Sequence, residues 1–207
     1  WATAFGDPFT TPPSYVPAVL LLDGTGAPFV KVCGPGSGRG GLGSSTCRWR
    51  VFGADDGVEA AHLDTGTYDG EDFPAAARGE GVFATITDPG TNDYRIAHLA
   101  GDLTIDWWRS LDGIVDKPSI VVDGNSVVQA SDGTVWVVGR KARPLPTSSD
   151  ALVLSHYAED GTPIANIKHF GMMPLFPSAT GAVFGVSTDT IWIRVVPTGQ
   201  PARIDAF

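Results

Sequence analysis

Four histidines, two cysteines and 23 acidic side chains are the groups with which this 207-residue chain would do chemistry. The histidines His62, His98, His156 and His169 share no metal-ligand spacing. Each is expected to pack against or cap a strand end. The acids are denser in one place. Residues 62–72 hold Asp64, Asp69, Glu71 and Asp72, and oxygen ligands at that density are what Ca²⁺ takes, yet their spacing matches no known calcium loop. A solvated acidic loop is therefore the preferred reading, with Ca²⁺ as the alternative and no other cofactor expected. A glycosidase needs two carboxyl groups facing each other across a cleft. Asp102, Asp106 and Asp116 qualify by number alone, since most aspartates here sit in turns and the chain has only four glutamates.

Residues 36–41 formally satisfy the dinucleotide pattern G-x-G-x-x-G. That mechanism requires a helix whose N-terminus faces the pyrophosphate, and no helical pattern follows, so the segment reads as a loop. Phosphate loops, nucleophile elbows, H-E-x-x-H and C-x-x-C are all missing from the sequence. The expectation is a protein without a catalytic site.

The cysteines suggest a compartment instead. Cys33 and Cys47 enclose a glycine-rich segment with no strand or helix pattern. A disulfide between them would close a loop of about 15 residues and remove roughly 3 kcal/mol of unfolded-chain entropy. Such a bridge predicts an oxidising, extracellular location, with two buried thiols as the alternative. Trp1 in place of Met at the start predicts a processed chain. No run approaches the roughly 20 apolar residues of a membrane span, and a net charge of -9 disfavours nucleic acid and anionic membrane surfaces.

Aromatic residues mark the candidate contact surfaces. In a strand over 104–109, Trp107 and Trp108 must point to opposite faces, so at least one of them lies between sheets or faces out. Arg48-Trp49-Arg50 likewise puts Arg48 and Arg50 on one face and an indole on the other. Exposed tryptophan beside arginine suits a protein interface or sugar stacking. At the start, Trp1, Phe5, Phe9 and Tyr15 alternate with Pro8, Pro12, Pro13 and Pro17. Residues 1–17 therefore read as an extended arm that must lie on its own domain or on a neighbouring subunit.

The elements that position these residues are strands. No long 3.6-residue apolar period occurs, 26 glycines and 16 prolines punctuate the chain, and the best helical candidate, 73–78, is about one turn long. Asp-Gly occurs seven times, mostly beside β-branched or aromatic runs, which predicts many hairpins. Residues 127–136 match 183–192 without a gap, keeping Val, Ser, Thr and Trp in register, and a weaker copy starts at 82. A degenerate first repeat is expected from strands over 18–23, 28–33, 47–53 and 58–63. Repeats of strands alone at spacings of 45 and 56 residues predict a β-propeller-like array of antiparallel meanders, about four repeats in one domain over 18–207. The resemblance to propeller blades is architectural, without a Trp-Asp or kelch signature, and a β-sandwich is the alternative.

Three functions follow in order of expectation. The first is a non-enzymatic extracellular structural or interaction protein that partners other protein subunits, such as a self-assembling subunit of a filament, appendage or virion. The second is a secreted carbohydrate-binding, lectin-like module that takes a glycan. The third is a secreted glycoside hydrolase.

Overall fold

The computed structural model describes residues 16–35, 45–53, 55–68, 72–73, 75–87, 94–110, 125–141, 151–170, 172–174, 183–187, 190–197 and 199–207. Among them there is no helix, and the strands form four sheets whose pairings are antiparallel with one exception. The first sheet is a meander of β1 (Val16–Leu22), β2 (Pro28–Pro35), β3 (Ser45–Phe52) and β4 (Glu59–Tyr68). Two short strands follow, β5 (Asp72–Phe73) and β6 (Ala75–Ala76). The second sheet joins β6 to β7 (Val82–Thr87), β8 (Tyr94–Leu99) and β9 (Ile105–Ser110). The third runs β10 (Asn125–Gln129), β11 (Val135–Lys141), β12 (Ala151–Tyr157) and β13 (Pro163–Phe170), with β5 added in parallel beside β10. In the fourth, β16 (Ile191–Pro197) pairs with β14 (Met172–Pro174), β15 (Val183–Val186) and β17 (Arg203–Ala206).

The hairpin loops explain why the sequence turns where it does. At Ala130 and Ala158 the alanine carbonyl accepts the Gly133 and Gly161 amides, at 3.1 and 2.9 Å, and both glycines have positive φ, 91° and 77°. Asp132 and Asp160 then accept the Thr134 and Thr162 amides at 3.1 and 2.8 Å. This is a three-residue loop closed by a left-handed residue, in which aspartate anchors the turn and glycine takes positive φ without steric cost. The loop after β8 is built the same way, but Leu103 occupies the glycine position at φ 64°. Its buried side chain, packed between the first and second sheets, offsets the strain. Asp23-Gly24 differs again, since Gly26 supplies the positive φ there.

The sheets stack in chain order. Phe29, Trp49 and Val51 of the first sheet meet Val82, Ala84, Ala97 and Leu99 of the second. Phe83 and Ile96, on the opposite face of the second, meet Val127, Val135, Val137 and Val153 of the third. Trp136, Val138, Leu152 and Leu154, on the far face of the third, meet Ile191, Ile193 and Val195 of the fourth. Sheets covered on both faces need apolar residues at odd and even positions alike, which is why these strands do not alternate cleanly. Among the apolar clusters of described residues, none joins the first sheet to the fourth.

Several expectations need correction. Residues 73–78 form no helix but enter β5 and β6, because each end of the segment pairs with a different sheet. The four strands of the first sheet appear as expected, with both cysteines in strands, but β2 and β3 run two residues further into the glycine-rich segment, to Pro35 and from Ser45. The supposed acidic loop is strand as far as Tyr68, since β4 continues the ladder with β3. β1 begins at Val16, so the last two residues of the expected arm lie in a strand, and residues 1–15 fall outside the described residues. The weaker repeat at Val82 starts on the second strand of its sheet, whereas Val127 and Val183 both lie in strands that open the β10–β11 and β15–β16 hairpins.

Candidate functional site

The second and third sheets part at one edge to leave an open cleft of about 440 Å³, lined by Glu80, His98, Asp106, Trp107, Glu159 and Asp160 among others. Hairpin geometry builds it. β8 and β9 pair His98 with Trp107, and Asp106 precedes Trp107, so a histidine and a carboxylate eight residues apart are brought together. His98 Nδ1 lies 2.7 Å from Asp106 Oδ2, and His98 Nε2 lies 3.1 Å from the Glu80 carbonyl oxygen. A carbonyl only accepts, so Nε2 carries a proton and donates it. The nitrogen that an Asp-His pair would offer as a base is thereby occupied.

The carboxylates around it are engaged with their own backbone. Glu80 accepts the Gly101 amide at 3.1 Å, and Asp160 accepts the Thr162 amide at 2.8 Å. Asp102, in the preceding loop, accepts both the Thr104 amide and hydroxyl at 2.9 and 2.7 Å. The Thr104 hydroxyl, and then its amide, hold the Asp102 carboxyl below the usual range, and Thr162 does the same for Asp160. Both are stable anions whose role is to fix turns.

Trp107 is the post between the two sheets. Its Nε1 donates to the Glu159 carbonyl at 2.9 Å, and its ring lies so close to Gly161 that a Cβ there would come within 2.6 Å. Phe83 and Tyr157 flank it at 6.0 and 6.5 Å between ring centroids. Trp108 points the other way, 42% exposed, with the Arg95 guanidinium 3.7 Å over its ring. Neighbouring Arg109 and Tyr157 line a second hollow of about 380 Å³. Burial raises the Tyr157 phenol above its ordinary value, against the pull of Arg109, so it stays a neutral donor.

The other candidates are scattered. Trp49 is fully buried toward the second sheet, while Arg50 faces away and contacts Glu59 at 3.4 Å; the Arg48 register position shares that outer face. His62 is exposed and bonds Glu59 at 3.0 Å. Asp64 lies in β4 and Asp72 in β5, on different sheets, and Asp69 and Glu71 fall outside the described residues. No group of three or more metal-ligating side chains occurs among the described residues. Trp1, Phe5, Phe9, Tyr15 and Asp116 also fall outside them, and of His169 only the strand position is described. Cys33 stands directly opposite Cys47 in the β2–β3 ladder.

His156 is buried, stacks on Trp136 at 3.9 Å between ring centroids, and its Nε2 has no hydrogen-bond partner. Burial pushes its pKa below the ordinary value, and the Asp132 charge only partly opposes this. The unfolded chain then binds a proton at higher pH than the folded one, so stability is complete above the ordinary histidine value of 6.5 and is lost as pH falls through it. Denaturation midpoints should therefore drop between about pH 7 and 5, and His156→Phe should flatten that slope.

The cleft was missed in the sequence, although its signal was present. His98 and Asp106 flank a loop whose Asp102-Leu103-Thr104 resembles the Asp-Gly-Thr turns, which fixes the hairpin and so the pairing. No known protein family matches the chain, and no curated protein is significantly similar to it.

Proposed function

We propose that this chain is a non-enzymatic, extracellular structural and interaction protein, a self-assembling subunit whose sheets form an open array of propeller-like blades. One observation carries the reading. The inner strands of the second and third sheets are covered on both faces, but exposed apolar side chains remain on every sheet: Leu20 and Leu22 on the first, Trp108 on the second, Ile164 and Ile167 on the third, and Trp192 and Ile204 on the fourth. Exposed apolar side chains that cluster, as Leu20 and Leu22 do on β1, favour a contact surface. β10 also touches both β6 and β15, which supports a blade-like arrangement in which neighbouring sheets approach one another at this strand. The occupied His98 Nε2 and the turn-bound aspartates favour a protein without catalysis. Sedimentation over a wide concentration range tests the reading: mass that rises with concentration supports it, and a monomer throughout refutes it.

Carbohydrate binding is less supported, because Gly161 packs against the Trp107 ring and Arg95 lies over that of Trp108. Among the described residues, no helix is long and apolar enough to cross a membrane.

Extracellular placement rests on the cysteines. Their opposed positions in the ladder suit a cross-strand disulfide that would clamp the β2–β3 hairpin. Peptide mapping without reductant should recover residues 33 and 47 in one linked pair, and reduction should lower stability by about 3 kcal/mol. Two free thiols in the native protein would remove the argument for an oxidising compartment.

A further inference from the structure

We infer that the hollow between the last strands of the second and third sheets binds a small carboxylic acid with an apolar body, its carboxylate held by Arg109 and Tyr157. The hollow measures about 380 Å³, a size that small organic ligands occupy, and is lined by Arg109, Ser110, Tyr157, Pro163, Ile164 and Ala165. None of these residues lines the His98 cleft. Such binding is independent of self-assembly.

Strand geometry aims the cation. In β9, Arg109 lies two residues beyond Trp107, so both side chains face the third sheet. The guanidinium sits 5.8 Å from the centre of the Trp107 ring, which is itself fixed by the Glu159 carbonyl and by Gly161. Arg109 Nη1 donates to the Trp108 carbonyl at 2.7 Å, and among the described residues no ion pair holds the group. Asp160 feels the Arg109 charge, but less than it feels the Thr162 hydroxyl and amide that keep it in its turn. The remaining N–H donors of the fork match a carboxylate, which accepts two parallel bonds from one guanidinium.

Tyr157 adds a second donor. It is 6% exposed, and it leans on the same Trp107 ring at 6.5 Å between centroids. Ser155, on the same face of β12, is a polar neighbour, yet its buried hydroxyl has no hydrogen-bond partner, so the two hydroxyls interact without a well-formed bond. Burial keeps the phenol protonated, with Ser155 and Arg109 only partly opposing it. It therefore donates to an anion rather than repelling one.

The apolar wall comes from a bulge. β12 and β13 pair His156 with Ala165 and Tyr157 with Pro163, so Ile164 has no partner residue of its own. An extra residue in one strand bends that strand and re-aims its side chain. Here Ile164 lines the hollow and stays 53% exposed, between Pro163 and Ala165. A guanidinium and a phenol beside a hydrocarbon wall suit a molecule charged at one end and apolar at the other. One cation balances one negative charge, which favours a carboxylate over a doubly charged phosphate.

Phenylacetate and its neutral amide, phenylacetamide, test this on the native chain by NMR titration. Phenylacetate should give saturable shifts at the Arg109 side chain and the Tyr157 ring, and phenylacetamide should bind at least about 10-fold more weakly. Arg109→Gln and Tyr157→Phe, each checked for an unchanged thermal melt, should also weaken phenylacetate, the first by at least about 10-fold. Comparing acid with amide needs no variant, so it decides even where a substitution unfolds the chain. No saturable shift, an amide that binds as well as the acid, or folded variants that both bind like the native chain would each overturn the inference. Acetate binding as tightly as phenylacetate would overturn the apolar half of the ligand. An acetylated and amidated Ala-Glu-Ala peptide that binds more tightly than phenylacetate would overturn the free acid in favour of a partner protein's side chain.

Discussion

Gly24→Ala should destabilise the chain by about 4 kcal/mol or more, and lower its melting temperature by roughly 10 °C. Gly24 sits at the tip of the β1–β2 hairpin and is the latch between the first two sheets. Its amide lies 2.9 Å from the Ala77 carbonyl and 2.7 Å from the Gly79 carbonyl, both in the loop before β7. A Cβ at this position would overlap the Arg78 carbonyl, which is backbone and cannot rotate away. The hairpin must then lift, breaking these contacts and the bond from the Gly81 amide to Asp23 Oδ2 at 2.7 Å. Urea denaturation of the variant checks it; a loss under about 1 kcal/mol would mean the loop is not seated there.

The same latch has an acid limit. Burial alone would raise the Asp23 carboxyl, but the Thr25 hydroxyl and the Gly81, Ala27 and Thr25 amides outweigh it and hold the pKa below the usual 3.8. The folded state therefore keeps Asp23 ionised to lower pH than the unfolded chain does. Its contribution is present above that value and disappears as the pH falls through the folded one.

Trp49 gives the second large effect, with a contrast that separates its causes. The side chain is fully buried between the first two sheets, and its Nε1 has no hydrogen-bond partner. Trp49→Ala removes apolar contact and leaves a cavity, an expected loss of about 3–5 kcal/mol. Trp49→Phe keeps most of the ring and discards a buried donor that bonds to nothing, so its loss should stay below about 1.5 kcal/mol. Equal losses for the two would show that the indole nitrogen is bonded after all.

How much of this was legible depends on whether the signal was local. The strands of the first sheet were readable because each is a short run set between turn residues, and the matched tryptophans at 136 and 192 marked equivalent hairpins. The faces of Trp107 and Trp108 followed from the pleat alone. What could not be read was contact between distant segments. Nothing near Gly24 announces that its amide meets residues 77 and 79, and nothing near Glu159 announces that its carbonyl receives Trp107. Alternation failed for the same reason at 73–78, where three alanines suggested a helix but two short pairings with different sheets prevailed.

One of those pairings bears on the order in which the chain assembles. Asp72 and Phe73 lie parallel to Asn125 and Ser126, so the third sheet borrows its border from a piece of polypeptide that precedes the second. During synthesis that piece emerges some fifty residues before the strand it joins, and it must wait until the second sheet has formed. A cut between residues 73 and 75 would thus orphan the third sheet's margin as well as sever the first sheet from the rest. The crossover works as a thread that knits early and late segments into one cooperative unit.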